Sequence, residues 1–179
     1  MTTALTTVYV ALGSNLDHPA HQIASGFEAL ARLPHSYLVT RSGLFVTPPW
    51  GNAQQPDFIN AVARLRTSLS APNLLAHLLD IERRHGRRRL FRNAPRTLDL
   101  DLLLYGDNII DIPGLTLPHP RMHERPFVLV PLTEIDPTIH IPGHGPARDL
   151  LRGLRNNCRM YNPATTPELN CRVPAPVAC

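Results

Sequence analysis

Lysine is missing from this chain: every one of its 18 basic residues is an arginine. That absence rules out a P-loop, whose lysine reaches the terminal phosphates of a nucleotide, and any chemistry that needs a lysine Schiff base. Cysteine is scarce, with only Cys158, Cys171 and Cys179, all near the C-terminal end. Their spacing fits neither a zinc site nor a redox motif, so they read as free thiols in a reducing compartment. No apolar run approaches the length of a membrane span, and the opening MTTALTTVYVALGSNL carries neither a basic leader nor a cleavage-site pattern. A cytoplasmic protein with no membrane partner is therefore expected. Internal repeats are absent as well. What is left, 179 residues of which 43% are hydrophobic, suits one compact domain with a real core.

The net charge of +4 is unevenly spread, because ERRHGRRRLFRNAPR gathers Arg83, Arg84, Arg87, Arg88, Arg89, Arg92 and Arg96. A planar guanidinium donates two parallel hydrogen bonds to phosphate, so a polyanion is expected near this stretch. Arg83 and Arg84 fall on the solvent side of a predicted helix, where simple solvation explains them.

TTVYVALGS reads as a strand ended by Gly13. HPAHQIASGFEALARL then places Ile23, Phe27 and Leu30 at helical spacing, and Pro34 ends the helix. YLVTRSGLFVTPP is a second strand. In the third, DFINAVARLRTSL, the residues Ile59, Ala61, Ala63 and Leu65 alternate with Phe58, Asn60, Val62 and Arg64. APNLLAHLLDIERRHG spaces Leu74, Leu75, Leu78 and Ile81 as a second helix, with Pro72 in its first turn and Gly86 as its stop. PRTLDLDLLLYG is the fourth strand. This order predicts an α+β fold with a ferredoxin-like βαββαβ core, in which both helices cover one face of an antiparallel sheet and leave the other free. A C-terminal extension follows: a hairpin near residues 108–117, an apolar helix or strand from Phe127 to Leu132, and a short last helix in PARDLLRGLR. The domain is expected to span residues 1–155, with residues 156–179 a disordered tail.

Strand alternation puts Leu98, Leu100, Leu102 and Leu104 on one face and Asp99, Asp101, Leu103 and Tyr105 on the other. Two acids side by side repel each other unless a cation, Mg²⁺ or arginine, sits between them. A solvated outer face is the plain alternative. With the helices on the leucine side, Phe58, Asn60, Asp99 and Asp101 share the opposite face. A metal-holding acid pair among arginines suits phosphoryl transfer from a nucleotide: metal bridges the phosphate oxygens and guanidinium groups absorb the developing charge. Phe58 adds a flat apolar surface, and Asn60 a donor and an acceptor for the edge of a heterocycle.

Four stretches, ALGSNL, TPPWG followed by QPDFIN, PRTLDLDLLLYG and LPHPRMHERPFVLVPL, occur in this order. On them the chain resembles the 6-hydroxymethyl-7,8-dihydropterin pyrophosphokinase family of folate biosynthesis, over about residues 8–155. The resemblance implies attack of the pterin's hydroxymethyl oxygen on the β-phosphorus of ATP, transferring pyrophosphate and releasing AMP. It implies ATP as co-substrate and two Mg²⁺ ions held by Asp99 and Asp101. Phe58 and Phe127 resemble the aromatic pair that sandwiches the pterin, Asn60 the side chain that reads its edge, and Thr47, Pro48 and Trp50 further contacts around it. Glu82, Arg89, Arg92, Arg96, Thr116, His119 and Arg125 look like nucleotide-side residues, with Arg87 and Arg96 acting on the phosphates during transfer. His119 reads equally well as a structural histidine fixing the LPHP turn.

The chain departs from the family pattern in places. The loop between Gly86 and Pro95 is one residue shorter, Asn93 stands where a tryptophan often covers the pterin, and Leu79 and Gly114 replace a polar and a basic nucleotide contact. Segments 47–57 and 86–96, rich in Gly, Pro and Arg, are expected to close over the substrates. Two rivals remain. An RNA-binding module shares this strand order, although two central acids repel a phosphate backbone and the aromatic RNA-binding signature is missing. Another two-metal nucleotidyl or phosphoryl transferase is the closer one. A monomer acting on small molecules, without nucleic acid, is expected.

Overall fold

The computed structural model describes residues 4–49, 55–86 and 95–164. Its centre is β1 (Thr6–Ser14), an alternating strand whose Val8, Val10 and Leu12 are buried. On one side β1 pairs antiparallel with β4 (Phe58–Thr67), from Thr6 opposite Thr67 to Ser14 opposite Ile59; on the other it pairs with β5 (Asp99–Tyr105). The expected second strand is two strands on the same edge of β4, β2 (Ser36–Arg41) and β3 (Phe45–Thr47). Ser42 makes the break between them: its backbone N–H donates to Val62 O and its hydroxyl accepts from Val62 N, both at 2.9 Å.

Both expected helices are present. In α1 (Pro19–Ala31) the 3.6-residue spacing buries Ile23, Phe27 and Leu30 against the sheet, each contributing roughly 1.5–3 kcal/mol. Gly26 lets it approach closely, since a Cβ there would lie 3.0 Å from Leu12 Cδ2 and 3.2 Å from Leu98 Cδ1. In α2 (Ala71–Arg84) the stripe is Leu74, Leu78 and Ile81, and Gly86 follows the helix at φ +72°. Next come the expected hairpin, β6 (Ile110–Ile112) and β7 (Leu115–Leu117), turning at Gly114, and the apolar run as a helix, α3 (Pro126–Ile135). A small hairpin, β8 (His140–Ile141) with β9 (Gly145–Pro146), leads into α4 (Ala147–Arg152). Beyond Asn156, where a disordered tail is expected, Arg159–Met160 form β10 on β3; residues 165–179 lie outside the described residues. The main sheet runs β10-β3-β4-β1-β5.

Two expectations need correction. The second sheet face is not free, because Leu129 and Leu132 of α3 and Ala147 of α4 pack there on Tyr9, Val62, Leu103 and Leu104. An uncovered face would leave that apolar surface in water. The alternation along β5 also fails after Leu102. Tyr9 pairs with Leu104 but Val10 with Leu102, so Leu103 is the extra residue of a bulge. Past it Leu104 joins the α3 face, and Tyr105 turns to the α1/α2 side, where its hydroxyl donates to Leu69 O at 2.7 Å.

A polar lock completes the α3 docking. The buried Tyr9 hydroxyl donates to Asp136 Oδ2 at 2.5 Å, and Arg64 lies 3.7 Å from the same oxygen. Burial first, and then the carboxylate it bonds, push the phenol up to about 12. Tyr9→Phe should cost about 2 kcal/mol in urea unfolding at neutral pH. Folding raises this pKa, so the native state keeps a proton that the unfolded chain releases. The advantage of wild type over Tyr9→Phe should therefore shrink as pH climbs from 10 to 12.

Candidate active site

A cavity of about 300 Å³ opens on the part of the second face that α3 leaves uncovered. Its floor is β1, which lines the cavity with Ala11, Leu12 and Gly13. Gly13 pairs with Asn60 on one side and Asp99 on the other; a Cβ on it would lie 3.4 Å from Asn60 Oδ1 and 3.9 Å from Asp99 Cβ. Ala11 pairs with Asp101. Phe58 and Asn60 rise from the β4 side, Asp99 and Asp101 from the β5 side, and Arg125 and Phe127 reach in from the start of α3. Thr47, Pro48, Arg96 and His119 also line the cavity.

Each aspartate meets a cation from a different element. Arg96, just before β5, makes a close ion pair with Asp99 Oδ2, while its guanidinium lies 5.4 Å from the Phe58 ring centre. Arg125 stands 3.8 Å from Asp101 Oδ2 and 5.7 Å from the Phe127 ring centre. Burial lowers the Arg125 pKa from its ordinary value, partly offset by Asp101. His119 Nδ1 accepts the Arg121 N–H at 3.2 Å, which leaves the proton of the neutral ring on Nε2, 3.9 Å from Asp101 Oδ2. Burial, and then the neighbouring Arg125 charge, push His119 down to about 4.

Two amides hold the walls. Asn15 is fully buried; its Oδ1 accepts the Arg96 N–H at 2.9 Å, its own N–H donates to Arg96 O, and its Nδ2 donates to Gln55 Oε1 and Pro56 O, each at 3.3 Å. It thereby ties ALGSNL, QPDFIN and PRTLDLD together. Asn60 Nδ2 donates to Thr47 Oγ1 at 2.8 Å, joining β4 to β3.

Not every candidate reaches the cavity. Glu82 is buried beneath β5, where its Oε1 accepts the N–H of Leu100, the residue between the two aspartates. Thr116 is exposed on the hairpin and donates to Asp111 Oδ1 at 3.1 Å. Trp50, Arg87, Arg88, Arg89, Arg92 and Asn93 lie outside the described residues. Sequence reasoning overlooked Arg121 and Gln55, which line the cavity, and the Ala11–Gly13 floor. Arg121 lies inside the quoted block between His119 and Arg125; the floor is visible only as two small residues in period two.

Among the described residues no group of three or more His, Cys, Asp or Glu side chains could hold a metal ion. Mg²⁺ needs no such group, since it takes one or two carboxylates and completes its octahedron with water and phosphate oxygens. Asp99 and Asp101 fit an ion that arrives with a polyphosphate.

An acid pair flanked by arginines and aromatic rings, on an antiparallel sheet backed by helices, has the make-up of a phosphotransferase. A model of the 7,8-dihydro-6-hydroxymethylpterin-pyrophosphokinase (HPPK) family matches residues 9–137, and the chain belongs to that family. It is 48% identical over 136 residues to the 2-amino-4-hydroxy-6-hydroxymethyldihydropteridine pyrophosphokinase of Haemophilus influenzae, covering 76% of this chain and 85% of that one. Against the Pseudomonas aeruginosa protein of the same name the identity is 48% over 135 residues, covering 75% and 83%. A solved HPPK-DHPS of Plasmodium falciparum superimposes with a TM-score of 0.65 at 13% identity, covering 83% of this chain and 43% of that longer one, which supports the fold alone.

Between about pH 4 and 6.5 His119 stays neutral in the folded protein while the unfolded chain carries a charge there. It therefore adds stability above pH 6.5 that is lost as pH falls toward 4. Substituting His119→Gln should flatten that acid limb of an unfolding-versus-pH series, and NMR should show the wild-type ring still neutral at about pH 5.5.

Proposed function

We propose that this chain transfers pyrophosphate from ATP to the hydroxymethyl group of 6-hydroxymethyl-7,8-dihydropterin, giving the pterin diphosphate and AMP in folate biosynthesis. The observation that carries this reading is one cavity, in a member of the HPPK family, that holds Asp99 and Asp101 opposite Phe58 and Asn60. The hydroxymethyl oxygen forms a bond to the β-phosphorus, and the bond from that phosphorus to the bridging oxygen of AMP breaks. Phe58 and Phe127 bracket the pterin ring, and Asn60, oriented by Thr47, reads its edge. Mg²⁺ held by Asp99 and Asp101, two ions in this reading, would neutralise the triphosphate and align it for in-line transfer.

Arg96 and Arg125 each rest against an aspartate and over an aromatic ring. When substrates load, phosphate replaces the carboxylate as their partner, which frees both ring faces for the pterin. Arg87, Arg89 and Arg92 add phosphate contacts, Trp50 covers the pterin side, and Thr116 and His119 belong to the nucleotide side. Glu82 works from beneath by holding the Leu100 N–H, and so the register of both aspartates. The strand order β3-β4-β1-β5, with α1 and α2 on one face, supports a ferredoxin-like core, and the elements after β5 support a C-terminal extension that runs past residue 155 to β10 and Tyr161. The protein acts as a cytoplasmic monomer on small molecules. Nucleic acid is disfavoured because two acids at the centre of the face repel a phosphate backbone.

Incubation of the full chain with ATP, Mg²⁺ and the hydroxymethyl dihydropterin should release AMP. Asp99→Ala or Asp101→Ala should slow release by roughly a thousandfold, several kcal/mol of lost charge stabilisation, with the melting temperature little changed for Asp101→Ala and lowered for Asp99→Ala, which strands Arg96 without its partner. No AMP from wild type, or full turnover by either variant, would refute the assignment. Hydrogen exchange in segments 47–57 and 86–96 should slow when an unreactive ATP analogue and the pterin are both bound, because closure excludes water as a competing nucleophile. Equal exchange with and without ligands would remove that closing role.

A further inference from the structure

The family match ends at residue 137, yet the chain beyond it returns to the edge of the site. β10 lies antiparallel to β3, with Arg159 opposite Val46 and Met160 opposite Phe45, and Tyr161 N donates to Leu44 O at 2.8 Å. Without β10, β3 would be a three-residue edge strand held only by β4. Strands that short have little stability of their own. β3 nevertheless carries Thr47, the partner of Asn60, and runs directly into Pro48 and Pro49 on the cavity wall.

A second tie comes from the same segment. Arg159 Nη2 stands 3.6 Å from Asp57 Oδ2, one residue before Phe58. The ring of Tyr161 packs against the main core and anchors the far end of the segment. One short stretch thus holds both ends of the connection between β3 and β4. Thr47, Phe58 and Asn60 all belong to these two strands, whereas Asp99 and Asp101 lie on β5, beyond β1.

We propose that β10 braces the pterin wall: it positions Thr47 and Phe58, and thereby sets affinity for the pterin ring while leaving the nucleotide side untouched. The inference rests on the function proposed above. Main-chain pairing carries most of the effect, since the Arg159–Asp57 pair is exposed and such pairs contribute little. β10 is a positioning element and touches no reacting atom.

In the full chain, Tyr161→Pro removes the donor to Leu44 together with the ring packed on the core, while Arg159→Ala removes only the ion pair. Tyr161→Pro should raise KM for the pterin roughly five- to tenfold, with kcat and KM for ATP within about twofold of wild type; Arg159→Ala should shift the pterin KM less than about twofold. Should Tyr161→Pro fold poorly, Arg159→Gly combined with Met160→Gly weakens the strand without touching the core, and a rise of about threefold is expected. Titration of pterin fluorescence with Mg²⁺ and an unreactive ATP analogue present gives the same comparison without turnover, as a ratio of Kd values. A folded variant with unchanged pterin KM and Kd, an equal rise for both substrates, or a loss confined to kcat would overturn the brace. Absence of AMP release by wild type would instead count against the reaction, and the Kd ratio would still decide the brace.

Discussion

Two negative charges cannot be held two residues apart on one strand face without a counterweight, and much of this architecture is arranged around that constraint. Asp99 and Asp101 each receive a guanidinium, one from the residue run before β5 and one from the cap residue of a helix on the far side of the cavity. Arginine is the only basic side chain the protein uses besides histidine, and its flat group can face a carboxylate and an aromatic ring together. Arg96 and Arg125 both do so. An ammonium would satisfy the charge but could not lie flat on the ring.

Meeting that constraint obliges α3 to dock where it does. Its cap residue and first turn deliver Arg125 and Phe127, its apolar face seals the half of the sheet bearing Tyr9, Val62, Leu103 and Leu104, and its end is fastened by the Tyr9–Asp136 hydrogen bond. Asn15 performs the matching task on the other wall. One buried amide fixes the backbone of Arg96 and the 55–56 segment together, so the acid side and the aromatic side of the cavity cannot drift apart independently.

Most of this was legible in the amino-acid sequence where the signal is local. The buried stripes of α1 and α2 follow directly from their spacing, and the alternation in β4 correctly separated Ile59, Ala61, Ala63 and Leu65 from Phe58 and Asn60. What escaped depends on partners remote in the chain. The bulge at Leu103 exists only relative to β1, and no residue type in LDLDLLLYG announces it. The apolar run that becomes α3 is uniformly hydrophobic, so its period could not separate helix from strand or say which face it covers. β10 is two residues inside a stretch of polar and turn-forming composition, and it is ordered by an edge that only the folded sheet provides. Glu82 reads as a polar residue at the end of a helix; its burial beneath Leu100 is a tertiary fact.

The Ala11–Gly13 floor has a consequence for inhibition. A compound resting there would lean on main-chain atoms, which point mutations do not delete. Evading it at Gly13 would mean growing a side chain into space bounded by Asn60 Oδ1 at 3.4 Å and Asp99 Cβ at 3.9 Å. A side chain there would fill the cavity that the proposed substrates need, so resistance at this position would carry a cost in turnover.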